Sequence, residues 1–155
     1  MLVMTAKVNK KKIAIIATGV VAVVVALILL LGGKQSAPTS SITVSGNEDR
    51  VQFLNSFGWE VAASPIQTSQ VRIPAESGEV FSRYNALQKT MGYDLSAYAG
   101  KRVMRYVYTV KNYPGATEPV YATLLISGNQ VIGGDITDTA PTGLMQGFQK
   151  ADEQG

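Results

Sequence analysis

Asp135 and Asp138 stand three residues apart at the end of the last apolar run, with Thr137 and Thr139 adding oxygens beside them. Two carboxylates so placed can share a divalent cation, or divide into an acid and a base when their surroundings separate their pKa values. Calcium prefers six or more oxygens, which this stretch does not supply, and no EF-hand spacing is present. Solvation of a strand end and capping of the following turn demand least of these residues. Without histidine, a serine nucleophile would need lysine as its base. No serine has lysine three positions later, so only a non-local pairing, through Lys89 or Lys101, is left. The chain also has no cysteine. That excludes thiol nucleophiles, disulfides and a lipoprotein's acylated cysteine, and together with the missing histidines it removes the usual zinc ligands. No catalytic residue, cofactor-binding residue or metal ligand is assigned, and no cofactor is expected.

The remaining candidates are recognition groups. Seven tyrosines and the only tryptophan, Trp59, all lie after residue 46. Tyr106 and Tyr108 alternate in step with Met104 and Val110, as a buried sheet face does, and Tyr84 belongs to a helical stripe. Tyr93, Tyr98 and Tyr113 fall in predicted loops, where exposed rings could take a protein, peptide or glycan. Asn85, Gln88 and Lys89 form a polar group that reads either as a solvated helix face or as a buried cluster tied to Tyr93 or Asp94.

The elements that position these residues begin with a membrane signal. Ile13 to Leu31 is a run of nineteen uncharged residues preceded by Lys7, Lys10, Lys11 and Lys12. As a helix it would extend roughly 28 Å at ~1.5 Å per residue, close to the ~30 Å thickness of a bilayer's hydrocarbon. The lysines predict that residues 1–12 stay cytoplasmic and that the chain beyond Gly32 lies outside the cell membrane. The run exceeds the roughly 7–15 apolar residues of a cleaved signal, so a retained single-pass anchor is expected. Ala14, Thr18, Ala22 and Ala26 share one stripe of it; they either pack against a partner helix or reflect the abundance of alanine in such spans.

Charge follows the same division. Five of the fourteen Lys and Arg lie in the first 34 residues, with no acidic residue among them. The other 121 residues carry nine basic and eleven acidic side chains, or −2. The basic character therefore belongs to membrane topology, and no nucleic-acid partner is expected.

Residues 32–46, rich in Gly, Ser and Thr, read as a flexible tether, and 47–149 as one small folded domain. Ser45 and Glu48 have capping-box spacing ahead of a short helix, from about Gly46 to Ser56. Ile66 to Ile73 reads as a strand ended by Pro74. From Ser77 to Met91, Val80, Phe81, Tyr84, Leu87 and Met91 form an apolar helical stripe closed by Gly92. Leu95 to Tyr98 adds a short turn. Strands follow over Arg102–Lys111, Pro119–Ile126 and Gln130–Ile136, the last two joined at Gly128-Asn129, where a tight hairpin needs positive φ. Leu144, Met145 and Phe148 predict one last docked turn, and 150–155 a disordered tail. The fold class is α+β: an antiparallel β-meander with two main helices on one face.

Gly133-Gly134-Asp135 is similar to the opening of the diguanylate cyclase signature, but Ile136-Thr137 follow where that signature has Glu-Phe. The glycines are read instead as permitting a bulge or a close backbone approach. A wider resemblance rests on Phe57-Gly58-Trp59-Glu60-Val61, Tyr84 to Lys89, Gly92-Tyr93-Asp94-Leu95, Gly100-Lys101 and Ile132 to Asp135, with Gly143 downstream. In this order the motifs resemble an uncharacterised domain family of Gram-positive, mostly clostridial, bacteria that usually follows a single membrane span. The resemblance implies an extracytoplasmic, tethered setting and brings no activity, substrate or functional position.

These readings converge on a membrane-anchored, extracytoplasmic binding, sensing or interaction module without enzymatic activity. Its expected partners are the lipid bilayer, through 13–31, and an envelope protein, peptide or glycan. A small envelope hydrolase using carboxylates, and an accessory subunit of a membrane complex, are the alternatives.

Overall fold

The structure is a computed structural model and describes residues 42–150. The apolar run 13–31, including Ala14, Thr18, Ala22 and Ala26, lies outside the described residues, as do most of the tether and 151–155. Among the described residues no helix is long and apolar enough to cross a membrane.

Helix α1 spans Asn47–Asn55. Its expected cap is displaced by one residue: Gly46 is the N-cap, and Asp49 Oδ2 accepts from the backbone N–H of Ser45 and Gly46 at 2.8 and 3.2 Å. An acidic group there also favours the positive end of the helix. Gly58, at φ +84°, then turns the chain toward Trp59. Ahead of α1, Val44 is buried and Thr43 bridges to Gln130, so the folded body starts before Gly46.

Among the described residues five strands follow one another in space as in the chain, all antiparallel: β1 (Gln67–Arg72), β2 (Arg102–Val110), β3 (Val120–Ser127), β4 (Gln130–Asp138) and β5 (Met145–Gln146). The β3–β4 loop has positive φ at Gly128 but not at Asn129, the φ pattern of a II′ turn. Leu125 pairs with Gly133 and Ile126 with Val131, which leaves Ile132 as the extra residue of a bulge. Strand β5 corrects the expected final helical turn. Pro141, Gly143 and Gly147 disfavour a helix there, and the free side of β4 offers Ile136 and Thr137 as pairing partners.

Alternation divides the sheet into two faces. Tyr108, Leu124 and Ile136 lie on the first, all at 0% exposure. Phe53 and Leu54 of α1, together with Val44, Trp59 and Phe148, seal it. Phe148 meets Phe53 edge to face at 5.2 Å, and its carbonyl accepts from Trp59 Nε1 at 2.6 Å. The expected burial of Tyr106 and Tyr108 with Val110 holds on this face: Tyr108 is fully buried and Tyr106 packs against the same cluster. Lys150, at the edge of the expected tail, sits over the Trp59 ring at 4.8 Å.

The second face carries Val103, Leu125 and Ile73, against which Phe81 and Tyr84 pack. These come from α2, Glu79–Thr90, so the two main helices do not share a face as expected. The reason lies in α2 itself. Its buried residues are Asn85 and Gln88, whereas Val80, the predicted start of its apolar stripe, is 83% exposed. The helix is fastened by polar bonds at the rim of the sheet and does not lie flat on an apolar stripe.

Candidate functional site

The second face is only partly covered. Beyond the first turns of α2 it opens into a groove of about 830 Å³, floored by β1 to β4 and lined along its length by Ile73, Phe81, Val107 and Leu125. That volume falls within the ~300–1,000 Å³ typical of small-molecule sites. Three of the protein's exposed large apolar residues, Ile66 (58%), Val80 (83%) and Met145 (51%), form its rim.

Asp135 is set into this floor at 4% exposure. Its Oδ2 accepts from the Tyr84 hydroxyl at 2.8 Å, and its Oδ1 from Thr137 Oγ1 at 2.7 Å. Burial pushes its pKa up, against the opposing pull of the Thr137 and Tyr84 bonds and of Arg105. Tyr84 is driven far above the ordinary tyrosine value, first by burial and then by the Asp135 charge, so it remains a donor. Arg105 projects onto the same face, where it lines the groove and acts on both groups electrostatically. It makes no hydrogen bond or ion pair among the described residues. Ser69, its direct cross-strand neighbour, has a buried hydroxyl without a hydrogen-bond partner.

Helix α2 is fixed beside the groove by a polar cluster, the buried alternative for Asn85 and Gln88. Gln88 Nε2 donates to the Gly134 carbonyl at 2.9 Å, and its Oε1 accepts from the Gly134 N–H at 2.8 Å. Two glycines clear the surroundings, Gly133 on the Gln88 side and Gly134 on the Phe148 side. A Cβ at Gly133 would stand 2.6 Å from Gln88 Oε1, and one at Gly134 2.5 Å from the Phe148 ring. Asn85 donates to Asp94 and accepts from the Leu95 N–H. The Asn85 bond, with those from Ser96, holds the Asp94 carboxyl well below the usual range. Lys89 stays exposed, 3.6 Å from Asp94.

The residues singled out in the sequence are dispersed. Asp135 faces the groove, but Asp138 lies on the opposite face, where it accepts from the Ala140 N–H. The pair therefore converges on no common atom, and among the described residues no three acidic side chains gather as a metal site. Tyr113 stacks on Trp59 at 5.8 Å and Tyr93 meets Phe148 edge to face, both half-buried against the first-face core. Tyr98 packs against the second-face cluster, with Lys101 Nζ 5.4 Å from its ring. Arg105 is not among the residues singled out by the sequence; a cation set between Val103 and Val107 on an alternating strand is the signal that marks it. The Tyr84–Asp135 bond joins residues 51 apart, and no local pattern carries it.

The groove thus offers a buried carboxyl with both oxygens engaged, an unengaged guanidinium and apolar walls. Residues 53–136 match the model of a family described as "Domain of unknown function (DUF4830)", and the chain belongs to that family. The matched stretch contains Tyr84, Gln88, Arg105 and Asp135, and it ends before β5 and Phe148. No curated protein and no solved structure matches the chain.

Proposed function

We propose that this member of the DUF4830 family is a non-enzymatic binding module whose ligand occupies the groove on the second face of the sheet. The single observation that carries the reading is the rim: Ile66, Val80 and Met145 leave apolar surface in water around a cavity with polar groups at its floor. Contiguous exposed apolar surface of this kind marks interaction sites in soluble domains. In the setting implied by the sequence resemblance, residues 13–31 anchor the domain to the outer side of a Gram-positive cell membrane. The nineteen apolar residues and the four preceding lysines support that placement.

The test is photocrosslinking in cells, with the full chain carrying a photoreactive phenylalanine analogue in place of Tyr121, which lines the groove, or of Tyr113, on the far side. Specific adducts from position 121 and none from 113 are expected. Equal capture from both, or capture from 113 alone, sinks the groove as the site. Protease added to intact cells should remove the domain while sparing the lysine-bearing end; a protected domain would overturn the placement.

A further inference from the structure

We infer that the groove takes a single-chain amphiphile with a monoanionic carboxylate head, the head held by Arg105 and the chain lying over Val107, Leu125 and Phe81. The inference rests on the groove being the binding site.

Charge complementarity selects the head. Arg105 has five N–H donors and engages none of them among the described residues, and it is the one cation lining a groove whose polar groups are otherwise Gln67, Asp135 and the hydroxyls of Tyr84, Tyr121, Thr123 and Thr137. A guanidinium is planar, keeps its charge when desolvated, and matches a carboxylate through two parallel bonds. The Ser69 hydroxyl, directly across from Arg105 on β1, is buried and has no hydrogen-bond partner among the described residues, so it does not occupy the guanidinium. Asp135 does not compete for the role, because both its oxygens already accept bonds and it is 4% exposed. When ionised, Asp135 repels a dianionic phosphate head about twice as strongly as a monoanionic one, whereas one arginine offsets a single charge. The body follows from the walls, because apolar residues run from Ile73 at one end to Met145 at the rim, and a flexible hydrocarbon chain buries against them without needing polar partners.

The full chain in lipid nanodiscs, with labelled Ile, Leu and Val methyl groups, is titrated with octanoate, octanol or octylammonium and followed by NMR. Val71, Val107 and Leu125 report the groove, and Leu54 and Leu124 report the sealed face and any non-specific partition. Saturable shifts at the groove methyls with octanoate are expected, with octanol and octylammonium at least about tenfold weaker. Arg105→Gln should weaken octanoate about tenfold or more, as loss of a charged hydrogen bond implies. Arg105→Lys should lie between. Arg105 makes no hydrogen bond or ion pair among the described residues for the substitutions to break, and unchanged Leu54 and Leu124 methyls verify that the variants fold. If octanol or octylammonium binds as well as octanoate, or Arg105→Gln changes nothing, the carboxylate assignment falls while the groove reading stands. If none of the three shifts the groove methyls, this inference falls, and the crosslinking at 121 decides the site separately. An apolar peptide that shifts them where octanoate does not would overturn the lipid class in favour of a peptide.

Discussion

The two faces of one sheet carry similar alternating apolar residues and meet different fates. On the first, Tyr108, Leu124 and Ile136 are sealed by α1, Trp59 and Phe148. On the second, Val107 and Leu125 lie under a groove that α2 covers at one end only. Burial depends on what arrives to cover a face as much as on the face itself. The first receives a helix together with Trp59 and Phe148; the second receives a helix whose buried residues are Asn85 and Gln88. Polar fastening fixes that helix firmly while filling little volume, and the space left over is the groove.

The contrast can be broken most forcefully at Phe148. Phe148→Ala removes the ring that meets Phe53, Phe57 and Tyr93, and should cost about 3–5 kcal/mol in a denaturant titration. Gln88→Ala comes next. It leaves the Gly134 N–H and carbonyl unpaired, for a loss of about 1–3 kcal/mol, and amide exchange should quicken at Gly134 first.

Titration sharpens the comparison further. Asp135 has a raised pKa when folded, so the folded protein holds this proton more readily than the unfolded chain does. Its contribution to stability is present at low pH and is lost as pH climbs from about 4 through the folded value. Wild type should therefore lose ground to Asp135→Asn as pH rises. Asp94, with its depressed pKa, has the opposite sign: its contribution is present above about 4 and is lost as pH falls toward the folded value. Asp94→Asn should accordingly be compared below that pH. Tyr84→Phe removes a bond that lowers the Asp135 pKa, so a carboxyl-carbon NMR titration should find Asp135 higher still. The smallest effect belongs to the rim: Val80→Ser should change stability by no more than about 0.5 kcal/mol. It should nevertheless weaken whatever binds the groove. A large loss of stability there would mean that Val80 packs as core.

Much of the fold was legible because alternation and glycine placement are local signals. The faces of β2, the stop at Pro74, the hairpin at Gly128 and the close approach at Gly133-Gly134 all follow from neighbouring residues. Strand β5 was not, since two residues carry no periodicity and its pairing depends on β4. Helix α2 was placed correctly in the chain but misjudged in orientation. Amide side chains at inward positions look like a solvated face until their partners, 46 residues away at Gly134, are known. The groove was hidden for a related reason: Val103, Val107 and Leu125 look like any buried face, and a missing cover leaves no mark in the sequence.

One arrangement at the rim bears on how copies of this protein meet. The outer side of β4 would otherwise present a row of unpaired backbone groups, but Thr43 occupies it at Gln130, Gln88 at Gly134, and β5 at Ile136 and Thr137. Three short, discontinuous pieces thereby leave β4 no continuous free edge for a neighbouring molecule to extend, a hazard for chains crowded at high local concentration. Loss of the middle piece alone would uncover a landing site for a foreign strand. Gln88→Ala chains should therefore self-assemble into fibrillar aggregates before they lose their native secondary structure.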